Sequence, residues 1–286
     1  MTGHSGRNKR LLLYFDILGF REMVNAGEAE KVRTVLSLAL NHADEQADKR
    51  SAKLGSRVET IYFSDTILIH LDETGFSDKA FRQLRFAATA LTRALLAENV
   101  PISGVLTYGD FVVSRVGDSR KPVYFGKALI DAYDRDKQEK WLGVLVGPTV
   151  TAELSDEAIQ SGIDEGNWMV RGKSKDCKCL LLNPFSALKN ALESHGEGAT
   201  LRSLEAFELL ALKSLRFVCR TSEGFARKAD FSSSVAVRYH ATAAFAKSVL
   251  GDKCYQWAVS LPDRAPESRS FRRGKGDSRQ RSSGHT

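Results

Sequence analysis

The order of strand and helix patterns predicts an α+β protein: a mixed or antiparallel sheet with helices, followed by a helical C-terminal extension. Three observations carry this expectation. Apolar runs rich in β-branched and aromatic residues, at 10–15, 57–63, 66–71 and 102–108, read as strands. A strong helical stripe separates the last two, with Phe81, Leu84, Ala87, Leu91 and Leu95 on one face. Beyond Asn183-Pro184 the strand signals stop, and residues 185–260 read as mainly helical.

Each element follows in turn. Arg10 to Phe15 reads as a buried strand, and Gly19-Phe20 starts a helix running toward Ala26. A second helix is expected over 28–49, with Val32, Val35, Leu36, Ala39 and Leu40 on one stripe. Two strands, Arg57–Phe63 and Thr66–Leu71, flank a turn at Ser64-Asp65. The helix of residues 78–98 comes next. Ile102–Tyr108 and Phe111–Val113 flank Gly109-Asp110 and read as another strand pair, and a polar loop is expected over 117–121. Val123–Phe125 reads as a short strand, 126–140 as a helix, Leu142–Val146 as a strand and 148–160 as a helix. Trp168–Val170 and Cys179–Leu182 are the last strands. The best C-terminal helices are 201–220 and 235–250, and the pattern leaves open whether they pack on the sheet or on another subunit. The expected organisation is a polar lead-in (1–9), a sheet domain (10–185), a helical extension (186–261) and a basic tail (262–286).

Composition narrows the class. The chain has 286 residues, 42% of them hydrophobic and 15 of them Phe, enough for one large domain or one domain with an appendage. The apolar run 11–20 is interrupted by Asp16 and lacks a small-residue cleavage site, so it does not read as a signal peptide. No stretch reaches the ~18 apolar residues of a membrane span. A soluble, cytoplasmic protein with no membrane insertion is expected. Four cysteines in a chain of this length argue against a disulfide scaffold, and Cys177-Lys178-Cys179 is too closely spaced for an ordinary zinc site. The net charge is +7. Residues 262–286 hold seven Lys/Arg and three Asp/Glu, so this Ser/Gly/Arg-rich tail contributes +4 of it and the rest of the chain only +3. Such a tail is expected to be solvated and disordered, and a nucleic-acid partner is not expected. The six histidines do not cluster.

The chemistry points to two carboxylates. Asp16 ends an apolar strand, in the run Leu11-Leu12-Leu13-Tyr14-Phe15-Asp16-Ile17-Leu18-Gly19-Phe20, and Asp65 sits at a hairpin tip. A carboxylate beside an apolar strand is unfavourable to bury unless it is paired or holds a metal. Two of them on neighbouring strand ends can hold hard divalent cations that in turn hold a triphosphate. Taken singly, Asp16 also suits a helix N-cap and Asp65 a turn position.

The segment Asp16-Ile17-Leu18-Gly19-Phe20 resembles the D-I-x-G-F opening of the class III nucleotide cyclases, the adenylate/guanylate cyclase family. Further motifs fall in the same order: Asp65 in a hairpin turn, and Ile102-Ser103-Gly104-Val105-Leu106-Thr107-Tyr108-Gly109, which resembles an R-x-G-I-x-x-G strand. Tyr124-Phe125-Gly126 followed by Asp131-x-x-x-Arg135 resembles Y-x-x-G…N-x-x-x-R, and Arg171-Gly172-Lys173-x-Lys175 resembles a late basic motif. The resemblance spans residues 10–182. Its wording (F-D-I-L-G-F, F-S-D-T-I-L-I, T-Y-G-D, F-G-K-A-L-I-D-A-Y) is similar to the pyrimidine cyclases of bacterial Pycsar anti-phage systems, which make cyclic UMP or cyclic CMP.

The resemblance implies a cyclase-like fold with a ferredoxin-like core, two Mg²⁺ or Mn²⁺ ions, a nucleoside triphosphate substrate, and a head-to-tail homodimer with active sites at its interface. It also implies a downstream cyclic-nucleotide effector. Asp16 and Asp65 would hold the ions, with the carbonyl of Ile17 completing one coordination sphere. Leu18, Gly19 and Phe20 would offer backbone N–H groups to the terminal phosphates. Arg135 would meet charge developing on the α-phosphate, and Asp131 stands where the family usually has an Asn that orients the ribose. Counted from Gly126, the pair lies one residue late, which would give the roles to Ile130 and Asp134. On residues alone, Asp131 and Arg135 also suit a surface ion pair. Arg171 or Lys173 would hold terminal phosphates. Ile61, Val123 and Tyr124 stand near the usual purine-reading positions, and Tyr62 and Tyr124 would line a base pocket or belong to the core. The alternatives are an adenylate or guanylate cyclase, and a non-catalytic module of the same fold that binds a nucleotide.

Overall fold

The computed structural model describes residues 8–28, 30, 33–34, 36–37, 41, 57–116, 121–164, 169–171, 180–195, 203–230 and 233–261. The first elements are β1 (Lys9–Ile17), α1 (Phe20–Asn25), β2 (Val58–Phe63), β3 (Thr66–Leu71), α2 (Asp78–Ala97) and β4 (Ile102–Asp110). β1 pairs antiparallel with both β3 and β4, and β2 pairs antiparallel with β3. This β2-β3-β1-β4 order is a ferredoxin-like core. The sheet continues through β7 (Gly143–Val146), which runs parallel to β4, then β9 (Leu180–Leu182) and β8 (Met169–Arg171), giving seven strands. The mixed sheet and the C-terminal helical region expected from the sequence are both present.

The apolar run of β1 is continuous because both its faces are covered. Leu11, Leu13, Phe15 and Ile17 pack on one side with Phe81, Leu84 and Leu91 of α2. Leu12 and Tyr14 pack on the other with Ala128 and Ala132 of α3 (Lys127–Gln138). The Ser77 hydroxyl accepts from the Ala80 N–H at 3.1 Å and caps α2. Gly104 has a steric origin: a Cβ there would lie 2.4 Å from the Tyr14 carbonyl oxygen and 2.6 Å from the Phe15 ring.

The C-terminal helices α6 (Ser186–His195), α7 (Ala206–Arg227) and α8 (Ser234–Ser260) pack on their own chain, answering the choice the sequence left open. Leu188, Leu212, Leu215 and Tyr239 share the core cluster of α2. Ser214 Oγ donates to the carbonyl of Arg93, and buried Arg93 donates to the Pro184 carbonyl and the Ser186 hydroxyl.

Several expectations are corrected. β4 does not form a hairpin with β5 (Val112–Val116): β5 pairs with β6 (Lys121–Phe125) in a separate ribbon, and Phe111 between β4 and β5 is buried. Lys121 is therefore in a strand, while 117–120 lie outside the described residues. The single helix expected over 148–160 is two, α4 (Pro148–Thr151) and α5 (Asp156–Asp164), because Leu154 turns into the core and the Ser155 hydroxyl caps a new helix at Ala158 N–H. α7 starts at Ala206 and runs on to Arg227, and α8 runs on to Ser260 through a break at Gly251 (φ 76°). The helix expected over 28–49 is helical at 30, 33–34, 36–37 and 41, and its other residues from 29 onward lie outside the described residues, as do most of 1–9 and all of 262–286.

Candidate active site

The site is built on the end of β1. Asp16 lies opposite Thr66 of β3 and Ser103 of β4. The β2–β3 turn, with Ser64 in the left-handed region at φ 58°, lies beside it. The Ile17 N–H donates to the Asp65 carbonyl at 2.9 Å, so the turn is fastened to the strand that carries Asp16. Alternation along β1 puts Asp16 on the face of Leu12 and Tyr14, toward α3.

On that face stands a third carboxylate. Asp136, in the last turn of α3, is 4% exposed. The Asp16 carboxyl is pushed up to about 6, chiefly by burial, with the charges of Asp136 and then Asp65 adding and those of Arg238 and Lys137 opposing. Burial also raises Asp136, against the pull of Ser103 and Arg238. The buried Ser103 hydroxyl finds no hydrogen-bond partner of good geometry among the described residues, so its pull is that of a neighbouring dipole. Burial, with the charge of Asp16 adding, holds the Tyr14 phenol above its ordinary value. The Tyr14 ring meets Tyr133 edge-on at 6.3 Å.

α3 approaches β4 closely. A Cβ at Gly126, where the helix begins, would lie 2.1 Å from the Asp110 carbonyl oxygen. Asp131, Asp134 and Arg135 line a cleft of about 360 Å³ with Thr107 and Thr149. Asp131 accepts from Lys127 Nζ at 2.6 and 2.8 Å, and Arg135 lies 3.8 Å from Glu139. Neither Asp16 nor Asp65 lines this cleft. The structure thus brings Asp16 and Asp65 together, and puts Asp131 and Arg135 in a cleft of their own. Of the alternative pair, Asp134 is in that cleft, while Ile130 is 61% exposed.

The other candidates fall as follows. The Leu18 N–H donates to the Pro101 carbonyl at 3.0 Å, and Gly19 is left-handed (φ 72°) at the start of α1, with Phe20 its first residue. Tyr62 is exposed. Tyr124 stacks on Phe111 (6.4 Å, 14°) near buried His70, in the aromatic cluster beside α3. Arg171 is in β8, and Lys173 lies outside the described residues.

No protein-family model and no curated protein matches the chain. Solved structures similar to it are nucleotide cyclases. The guanylyl cyclase Cya2 is 17% identical, with 63% of this chain and 93% of that chain covered and a TM-score of 0.41. The guanylate cyclase domain of RhGC from Catenaria anguillulae, in complex with GTP, is 10% identical, with 62% and 97% covered and a TM-score of 0.44. The adenylyl cyclase CyaB from P. aeruginosa is 17% identical, with 63% and 96% covered and a TM-score of 0.37.

The donor set fits a hard cation. Asp16, Asp65 and the Ile17 carbonyl are oxygen donors of the type that Mg²⁺ and Mn²⁺ take. Burial chiefly, and then the charges of Asp136 and Asp65, disfavour the Asp16 carboxylate, and a divalent ion beside it would favour the charged form. Among the described residues no group of three or more His, Cys, Asp or Glu side chains forms a metal centre. The third carboxylate, Asp136, lies 4.0 Å from Arg238.

Asp136, Arg238 and Glu139 were not identified from the sequence. One signal was available for Asp136: its spacing from Ala128 and Ala132 puts it on the buried stripe of α3. Arg238 has the same kind of signal, sharing a stripe with Thr242 and Ala246.

Proposed function

We propose that the protein is a nucleotide cyclase that converts UTP or CTP to the 3′,5′-cyclic monophosphate and pyrophosphate, as a cytoplasmic second-messenger synthase in anti-phage defence. One observation carries the reading: the Asp65 turn is fastened to the end of β1 beside Asp16, at two positions that the motif order marks as metal aspartates. The pyrimidine preference rests on the wording of the motifs and on Ile61 and Val123 standing where purine cyclases present polar groups.

Bound at this pair, two Mg²⁺ or Mn²⁺ ions would neutralise the triphosphate and acidify the ribose 3′-hydroxyl. Asp16 and Asp65 would hold them as carboxylates, with the Ile17 carbonyl as a further donor. Arg135 donates to the α-phosphate oxygens, where charge grows as the 3′-oxygen attacks and pyrophosphate leaves. Asp131 accepts from the ribose once Lys127 yields it. Gly19 and Phe20 turn backbone toward the terminal phosphates, and Arg171 and Lys173 add positive charge there. Leu18 holds the turn through Pro101 instead of offering its N–H freely. Tyr124 is on the side of the sheet that carries Asp16 and can flank the base, whereas Tyr62, opposite Ile67, is on the other side and is set aside.

Arg135 lines a cleft that Asp16 and Asp65 do not line, which is in keeping with the head-to-tail dimer that the resemblance implies, in which a complete site takes its arginine from a second copy of the chain. Exposed Phe63, Phe125, Ile130 and Tyr133 give such a dimer an apolar surface. A cyclic-nucleotide effector would read the product. The test is Asp65→Ala: it abolishes turnover in a protein that remains folded and dimeric, and retained turnover refutes the metal assignment.

A further inference from the structure

α8 delivers one charged side chain to the end of α3. Arg238 is 8% exposed. Its Nη1 donates to the Trp141 carbonyl at 3.2 Å, and its Nη2 donates to the Asp136 carbonyl at 3.1 Å. Nη2 also lies 4.0 Å from the Asp136 carboxylate. The planar guanidinium thus spans the last turn of α3 and the far end of the following connection, a two-carbonyl geometry that a lysine cannot reproduce.

Neighbouring contacts fix the same junction. Thr242 Oγ1, one turn along α8, accepts from the Leu142 N–H at 3.0 Å and donates to the Arg238 carbonyl at 2.8 Å. Phe245 meets Trp141 edge-on at 4.3 Å. The α3–β7 connection, residues 139–142, is therefore held by α8.

Arg238 stands between the two contributions that one chain makes to the proposed dimer: the aspartates of its own site, and the arginine it lends to the other. On one side is Asp136, the buried carboxylate that acts on Asp16. On the other is Glu139, which lies 3.8 Å from Arg135 and feels the charges of both Arg135 and Arg238. An uncompensated carboxylate buried this deeply would be strongly unfavourable.

We propose that Arg238 is a positioning residue for the cyclase reaction: it compensates Asp136 beside the metal aspartates and, through the last turn of α3, sets the position of Arg135. The C-terminal helical region is thereby part of the active site's construction. This inference rests on the cyclase reading, and its test separates the two.

The experiment compares wild type with Arg238→Met, Arg238→Lys and the double variant Arg238→Met/Asp136→Asn. The readouts are kcat and KM for the preferred triphosphate, thermal unfolding, and hydrogen exchange of the amides of residues 135–142. Arg238→Met is expected to unfold at lower temperature because Asp136 is left unpaired. The double variant removes both charges and is expected to recover thermal stability. Its kcat should remain about 10–100-fold low, the usual effect of losing a residue that orients a reacting group's partner, with KM within about threefold and faster exchange confined to 135–142. Arg238→Lys keeps the charge without the two-carbonyl bridge, and should be stable with a lowered kcat. A double variant with wild-type kcat and wild-type exchange at 135–142 overturns the proposal. If the wild type turns over no triphosphate, the cyclase reading fails. The exchange pattern still decides whether Arg238 fixes the end of α3.

Discussion

The main-chain carbonyl of Asp65 accepts a 2.9 Å hydrogen bond from the N–H of Ile17. The bond ties a hairpin turn to the end of the central strand and sets Asp65 next to Asp16. Because the tie runs through the backbone, the Asp65 side chain is not needed to hold the turn in place.

Asp65→Ala should therefore leave the fold intact, with a Tm within about 2 °C of wild type, the small change usual for a position outside the core. Turnover should be lost, a fall of at least about 10³-fold, corresponding to about 4 kcal/mol or more of transition-state stabilisation. Circular dichroism and a product assay on the same preparation check both. A collapse of stability would mean that the carboxylate is structural.

Asp16 makes metal-stripped protein sensitive to pH. Its folded carboxyl holds a proton to about pH 6, against an ordinary 3.8. Between those values the folded chain binds more protons than the unfolded chain, so this group lowers stability as pH rises through the window. Below it both states are protonated, and above it neither is. Denaturation of chelator-treated protein should show this fall between about pH 4 and 6, and Asp16→Asn should flatten it. Wild type and Asp16→Asn differing by a constant amount across the window would contradict the burial of Asp16.

Gly104 is fixed by sterics. Gly104→Ala drives a methyl group toward the Tyr14 carbonyl and the Phe15 ring. The expected loss is about 1–3 kcal/mol, the range for overpacking a core, read as a lower Tm. A neutral Gly104→Ala would show that β1 and β4 sit farther apart.

The exposed apolar side chains beside α3 predict self-association. Phe63 is 80% exposed at the end of β2, and Ile130 is 61% exposed on α3. Light scattering should give a dimer for wild type, and Phe63→Glu or Ile130→Glu should give folded, inactive monomers. A monomeric wild type with full activity would overturn the two-chain site.

Much of this was legible in the sequence where one physical constraint dominates. The run Leu11–Phe15 reads as a strand because both its faces are covered, and the Ser64-Asp65 turn reads as a hairpin because Thr60–Phe63 and Thr66–Ile69 are both β-rich. The Gly109-Asp110 pair looks like a similar turn and is not one: buried Phe111 carries the chain across to the β5–β6 ribbon, a tertiary preference that local turn chemistry does not report. Lys127 holds Asp131, an i,i+4 contact that the spacing allowed equally with Asp131–Arg135. Arg238 lies 102 residues from Asp136, and only the packing of α8 on the α3–β7 junction brings them together.

The most direct test is incubation of the full chain with Mn²⁺ and each of ATP, GTP, CTP and UTP, resolving cyclic product and pyrophosphate. The account predicts that one pyrimidine triphosphate is converted to its 3′,5′-cyclic monophosphate with pyrophosphate in equal amount. Cyclisation of a purine alone would contradict the pyrimidine assignment, and no cyclic product from a folded dimer would contradict the cyclase reading itself.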